Sequence, residues 1–440
     1  MKAVEEDYQL SHRSSDADLG LGRFRLNESQ LKAVQDCVSA MGSRSPSLKL
    51  IRGPPGTGKT KTISTILWAM LLRGHRTLTC APTNTAVLEV ASRIVQLVQE
   101  FSNGRCFLSD IILLGNNEKM KVEASHDLSA VFLQYRVERL LQCFSPNIGL
   151  GHCLRTLIGL LEEPLTKYRL HADKIIKNHE EEQEEKKKRN ISSNVDKKNT
   201  NIAKCNKGKG PEKDRCKNEG DEPQVVQVFV TPSFKDFVKA THKELAHNLC
   251  HCIEILQNDF PRDSTMAQSF RCMSDVVELT GILDALVDAG GGDEHEAWAD
   301  DLGKACSLCS MNSNPCKKCK FRKARSLCLQ ELNNLRNNLK LPNCYNERTI
   351  EIYLLRRTKS ILCTVSSSFR LYNVLPTDKL VGGQHNKEAE ISPPLEFLVV
   401  DEAVQVKECE AMIPLQLPWI RHAVFIGDER QLPALVKSKV

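Results

Sequence analysis

No uncharged apolar run of about 18 residues occurs anywhere in this chain of 440 residues. The opening MKAVEEDYQL also lacks the basic region and apolar core of an export signal. The expectation is therefore a chain that is neither secreted nor membrane-spanning. A strong charge of either sign is missing too. Sixty-one basic against 55 acidic residues leave a net charge of +6, which suits a partner made of phosphates but is too small to prove one. Cysteine, by contrast, is plentiful. Without an export signal, the 18 cysteines read as reduced thiols, or as metal ligands where spacing permits, rather than as disulfides.

What is present is organised at the two ends. The first 120 or so residues alternate short apolar strands with helical patterns, as a parallel sheet covered by crossover helices requires. Strands are expected at Leu48 to Ile51, Thr77 to Ala81 and Ile111 to Leu114, and again at Ile361 to Thr364, Phe397 to Val400 and Val424 to Ile426. Ile63, Ile66, Leu67, Met70 and Leu71 recur at helical spacing after the first strand, and Gly74 closes that helix. The sheet is thus split in sequence. Between the halves, Leu128 to Leu170 and Phe234 to Leu286 read as helical. His179 to Glu222 is dominated by Lys, Glu, Asn and Gly, with too few apolar residues to offset the entropy of ordering, and is expected to be disordered. Lys186, Lys187, Lys188 and Arg189 within it fit a nuclear import signal, with a solvated charge run as the alternative.

The fold expected from this pattern, and from the glycine-loop motif and family resemblance set out below, is α/β: a RecA-like phosphate-loop domain with a parallel sheet, interrupted by a large, mostly helical, partly disordered insertion. The expected divisions are 1–125 and 346–440 for the sheet domain, 126–178 and 225–345 for helical insertion, and 179–224 for the disordered linker.

Gly53, Pro54, Pro55, Gly56, Thr57, Gly58, Lys59 and Thr60 form GPPGTGKT between the first strand and its helix. Glycines there let backbone N–H groups turn toward an anion at a helix N-terminus, where the dipole also favours negative charge. Lys59 would bridge outer phosphates and Thr60 would hold Mg2+. Asp401 and Glu402 close an apolar strand. Asp401 would hold the same metal and Glu402 would act as general base toward water. A strand-end Asp-Glu pair alone is often a solvated turn; joined to the glycine loop it carries weight. No guanine-reading NKxD follows, which argues against a GTPase.

GPPGTGKT, APTNTAV at Ala81 to Val87, DEAVQ at Asp401 to Gln405 and GDERQLPA from Gly427 together resemble the superfamily 1B helicases of the senataxin and nonsense-mediated-decay type. LNESQ at Leu26 to Gln30 fits as well, because that family places a glutamine there to read adenine. A side-chain amide can pair bidentately with the adenine edge, giving ATP preference, while Asn27 and Gln30 also fit a helix capping box. The resemblance implies that Gln405 and Gln431 sense the γ-phosphate, with Asp428 in support. It implies that Pro82, Thr83, Asn84 and Thr85, and Thr364, Ser366, Ser367 and Ser368, contact single-stranded RNA or DNA through its backbone. Turn capping is the alternative for both hydroxyl clusters. Travel would be 5′ to 3′, and residence nuclear, with the cytoplasm as the alternative.

Two positions depart from the family pattern: Val404 replaces an alanine and Glu429 replaces a turn-stiffening proline. Neither removes a catalytic group. The chain stops at Val440, before the second RecA-like domain that the resemblance calls for. That domain supplies arginines worth about 10³ to 10⁵ in rate, so this chain alone is expected to hydrolyse ATP very slowly and to unwind nothing. The competing reading is a catalytically deficient phosphate-loop protein that serves as a nucleic-acid or protein binding module. Separately, Cys306, Cys309, Cys316 and Cys319 form two CxxC pairs, and four thiolates so paired fit tetrahedral zinc; free reduced cysteines are the alternative.

Overall fold

Six strands form the centre of the computed structural model, and each falls where an apolar run predicts it. They are β1 (Ser47–Arg52), β2 (Arg76–Ala81), β3 (Ile111–Leu114), β4 (Ser360–Thr364), β5 (Leu395–Val400) and β6 (His422–Gly427). The structure describes residues 19–123, 127–202, 231–262, 266–290, 298, 316–339, 341, 346–374, 394–431 and 433. All pairings are parallel, in the order β1-β6-β5-β2-β4-β3. Both halves of the sequence contribute: β4, β5 and β6 intercalate among strands that precede the insertion.

The helices in chain order are α1 (Glu28–Ala40), α2 (Lys59–Leu72), α3 (Asn84–Phe101), α4 (Asn117–Met120), α5 (Leu133–Phe144), α6 (Leu150–Glu162), α7 (Pro164–Ile202), α8 (Phe234–Asp259), α9 (Ala267–Asp288), α10 (Lys317–Asn338), α11 (Glu347–Arg357) and α12 (Glu408–Leu415). A parallel sheet must be covered on its faces, and α2 shows how. Its Ile63, Ile66, Leu67, Trp68, Met70 and Leu71 are all buried. Polar groups in the helix are satisfied locally: Thr62 and Thr65 hydroxyls donate to the Gly58 and Lys61 carbonyls, and the Trp68 indole to Leu19. Gly74, at φ 73°, ends it with the His75 N–H reaching back to Met70, a left-handed cap.

Contacts divide the chain into two units. The sheet unit comprises Met1–His152, Leu249–Met273 and Asn338–Val440, and the second comprises Cys153–Asn248 and Ser274–Asn337. The sheet unit therefore reaches past residue 126 to His152 and takes back 249–273. The reason is charge pairing around β3. Arg136 on α5 is fully buried and donates to the Ile111 and Leu108 carbonyls, and Arg139 forms a two-pronged pair with Asp259 at 2.6 and 2.7 Å. Two-pronged arginine–carboxylate pairs are among the stronger polar contacts.

The second unit is helical throughout its described secondary structure. Buried Arg325 closes the end of α6 by donating to the Leu161 and Glu162 carbonyls, and His242 meets Asp284 at 2.6 Å. One expectation changes here. Of the stretch 179–224, read as disordered, residues up to Ile202 continue α7 as helix, and 203–224 lie outside the described residues. Among the described helices none is long and apolar enough to cross a membrane.

Candidate functional site

Strand order decides which loops meet at the carboxyl edge of the sheet. The segments after β1, β6 and β5 are neighbours there, and those after β2 and β4 lie next along the same edge. Ligands of open parallel sheets bind at this edge. The glycine loop after β1 is tied to its neighbour by Gly53 N–H donating to Gly427 at 3.0 Å, so the ladder continues into the loop. Gly56 and Gly58 adopt φ of 75° and 83°. A Cβ on Gly53 would stand 2.7 Å from Lys59 Cγ, and one on Gly58 would stand 2.8 Å from Gln30 Nε2. At either point a side chain would force Lys59 or Gln30 to move. Thr57 braces it by donating its hydroxyl to the Pro54 carbonyl at 2.7 Å. Pro55, beside it, is exposed.

Lys59, the first residue of α2, folds its Nζ to within 3.1 Å of the Gly53 carbonyl and 3.7 Å of Glu402 Oε1. Asp401 closes β5 with its N–H on the Cys80 carbonyl, and its Oδ1 accepts from the Glu402 N–H at 2.9 Å. Burial pushes the Asp401 carboxyl up to about 6; the Glu402 hydrogen bond and Lys59 oppose this, and Glu402 and Glu89 add to it. A buried carboxylate beside an ammonium is a setting in which a hard cation or a polyphosphate can be held. Glu402 itself sits at φ 47°, ψ 42°, a left-handed conformation that costs a residue with a Cβ about 1 to 2 kcal/mol. Gln405 donates to Glu402 Oε2 at 3.4 Å. Asp428, 1% exposed, organises the next turn, accepting from Arg430 N–H, and its carbonyl accepts from Gln431 N–H.

The two departures from the family pattern are accommodated. Val404 Cγ2 lies where a Cβ on Gly427 would be 3.0 Å away, so the valine packs against a bare glycine. Glu429, in place of proline, pairs with Arg52 at 2.6 Å, but both side chains are more than half exposed, where such pairs contribute about 0 to 1 kcal/mol.

Gln30 serves two structures at once. Asn27 and Gln30 form the capping box of α1, and Gln30 Nε2 also donates to the Thr57 carbonyl in the glycine loop at 2.9 Å. The polar segments after β2 and β4 adjoin because Ala81 is in register with Thr364, and Val365 N–H donates to the Ala81 carbonyl. Capping is part of their work: Thr83 accepts from Ala86 N–H, and Thr364 from Ser367 N–H. Asn84 reaches the Lys119 carbonyl, while Pro82 is half-buried and Thr85 and Ser366 are exposed.

Sequence reading missed Glu89. From α3 its carboxylate accepts the Thr60 hydroxyl at 3.1 Å, adding a third acid to the neighbourhood of Lys59. The available signal was a polar stripe at 85, 89, 93 and 96 opposite the apolar face of the helix. Of the cysteines expected to hold zinc, Cys306 and Cys309 lie outside the described residues, and Cys316 and Cys319 flank the start of α10. Among the described residues there is no group of three or more His, Cys, Asp or Glu able to hold a metal, and no disulfide.

Comparison with known proteins matches residues 25–439 to a family described as an AAA domain. Helicase sen1 of Schizosaccharomyces pombe is 35% identical over 163 residues, 32% of this chain and 9% of its own length. The probable helicase senataxin of Mus musculus is 34% identical over 122 residues, 22% of this chain and 5% of its own. The regulator of nonsense transcripts 1 homolog of Drosophila melanogaster is 44% identical over 70 residues, 16% of this chain and 5% of its own. The chain thus spans under a tenth of the length of these relatives. With the glycine loop, the Asp-Glu strand end and the GDERQ turn side by side on one parallel sheet, the chain belongs to the AAA domain family and is a first motor domain of the superfamily 1 helicase type.

Proposed function

We propose that this domain binds and hydrolyses ATP and couples that reaction to a grip on single-stranded nucleic acid. One observation carries the reading: strand order sorts the motifs. Phosphate-type loops follow β1, β6 and β5, and the hydroxyl-rich segments follow β2 and β4, so one sheet edge offers two adjoining sites.

In this reading Gly53 to Thr60 cradle the phosphates with backbone N–H groups, and Lys59 neutralises the outer ones. Gln30, already in contact with the loop, exchanges its internal hydrogen bonds for the adenine edge. The oxygen donors present, Thr60 and Asp401, suit magnesium, which when bound neutralises charge on the phosphate oxygens. Glu402 takes the proton of the attacking water, its left-handed backbone aiming the carboxylate past Lys59. Gln405 orients Glu402, and Gln431 with Asp428 reads the outer phosphate from the neighbouring turn. Pro82 to Thr85 and Thr364 to Ser367 hold backbone phosphates of RNA or DNA, with little preference for sequence. A second RecA-like domain supplies the remaining arginines, and the run Lys186 to Arg189 directs the protein to the nucleus.

The test is binding of a fluorescent ATP analogue, followed by hydrolysis with and without oligo(U) or oligo(dT). Binding that Lys59→Ala abolishes, with turnover raised by the oligonucleotide, is the expected result. Preference for GTP, or tight oligonucleotide binding with no ATP binding, would sink it; the latter would favour the binding-module reading.

A further inference from the structure

Two hollows on the sheet unit share Lys61, Arg93 and Gln96 and so form a single groove beside α3. The larger, about 710 Å³, begins at Thr85 and Thr60 at the sheet edge, and the smaller, about 300 Å³, continues to Arg23 and Arg25 ahead of α1. Five basic side chains line the groove, Arg23, Arg25, Lys61, Arg93 and Lys121, against the carboxylates of Glu89 and Glu100. Of these carboxylates, Glu89 is engaged by the Thr60 hydroxyl.

The cations are not balanced internally. Arg93, Lys121 and Arg25 are exposed, and among the described residues their side chains form no ion pair or hydrogen bond. Lys61 donates only to the Arg25 carbonyl, at 3.1 Å, and Arg23 lies over the Phe101 ring at 5.2 Å while donating to Gly20. Unpaired cations gathered in a concave polar site raise the local concentration of anions. The groove follows α3 from Thr85 to Gln96, about 17 Å at 1.5 Å per residue, long enough to face more than one backbone phosphate. Its aromatic rings are committed to packing, Phe24 against Trp68 and Phe101, and offer no free face to a base.

We infer that this groove is a second phosphate track, which takes the sugar–phosphate backbone of single-stranded nucleic acid as it passes Thr85 and holds it by charge alone. The inference rests on the nucleic-acid reading above and extends it away from the sheet edge.

The experiment measures oligo(dT) and oligo(U) affinity by fluorescence anisotropy between about 50 and 200 mM salt. It compares the unchanged chain with the double variant Arg93→Ala, Lys121→Asn. Asparagine tolerates the left-handed backbone at position 121, φ 53°. Each lost phosphate contact lowers the salt slope by about 0.7, so the double variant should be shallower by about 1.4, with ATP-analogue affinity unchanged. An unchanged slope, while Asn84→Ala and Thr364→Ala still weaken binding, would overturn the groove and keep the nucleic-acid reading. A parallel fall in ATP-analogue affinity would return the groove to the nucleotide site. Displacement of the oligonucleotide by inorganic tripolyphosphate, with affinity independent of oligonucleotide length, would make the groove a small-anion site and overturn the track. If the unchanged chain binds no oligonucleotide at any salt, the nucleic-acid reading itself fails.

Discussion

Two turns at the same sheet edge reach the left-handed region by different means. The loop after β1 uses glycine, at Gly56 and Gly58, whereas the turn after β5 forces Glu402 to φ 47°. In the proposed reading the glycine loop works through its backbone, and a Cβ on Gly53 or Gly58 would displace a neighbouring side chain. In the carboxylate turn the side chain is the group proposed to do the chemistry, which accounts for a retained backbone strain of about 1 to 2 kcal/mol. Strain is kept where a functional group cannot be given up.

The largest expected effect separates chemistry from fold on the strained side. Glu402→Gln should lower turnover about 10²- to 10⁴-fold, with ATP-analogue affinity nearly unchanged, in single-turnover hydrolysis assays. On the glycine side, Gly58→Ala places a Cβ 2.8 Å from Gln30 Nε2 at φ 83°. Fluorescence titration should show nucleotide affinity falling about 10- to 100-fold, the equivalent of 1.4 to 2.7 kcal/mol; unchanged affinity would show that the loop needs no bare backbone there.

Asp401 offers a test by pH. Its folded value of about 6 lies above the ordinary 3.8, so the unfolded chain gives up the proton first and stability falls as pH rises through this interval. Above it the cost is on the order of 2 to 3 kcal/mol. Without magnesium, Asp401→Asn should therefore raise Tm at pH 7.5 and have little effect near pH 4. The smallest effect belongs to Glu402→Gly. Relief of strain, less the entropy of a glycine, should stabilise the chain by about 1 kcal/mol in urea unfolding while turnover is lost. Destabilisation instead would mean that contacts of the Glu402 side chain outweigh its backbone strain.

The inner strands could be read from sequence because strands buried on both faces present apolar runs, as IILL in β3 and FLVV in β5 do, whereas β1, whose Leu48 and Leu50 are exposed, is marked by its place before the glycine loop. The phosphate loop was equally plain, since its glycines and lysine are contiguous. Strand order was not, because nothing local to β6 says that it lies between β1 and β5. Glu89 was hidden for the same reason: its contact with Thr60 exists only once α2 and α3 pack together. The boundary at His152 depends on Arg136 and Arg139 finding Asp259 about 120 residues away, and charge pairs at that separation leave no periodic trace. In α7 the composition spoke to burial and was silent about helix formation.

A short main-chain path, covalent along β2 and hydrogen-bonded to the strands on either side, joins the two halves of the sheet edge. Asp401 N–H is bonded to the Cys80 carbonyl, Pro82 lies two residues farther on, and the Ala81 carbonyl holds Val365 N–H from the next strand. The route from the carboxylates to both hydroxyl-rich segments is thus main chain, with no side chain as an intermediate link. A displacement at the nucleotide would arrive at the strand as motion of a stiff frame. If the hydroxyl-rich segments grip a nucleic-acid strand as proposed, substituting their hydroxyls should loosen the hold while leaving this main-chain route intact.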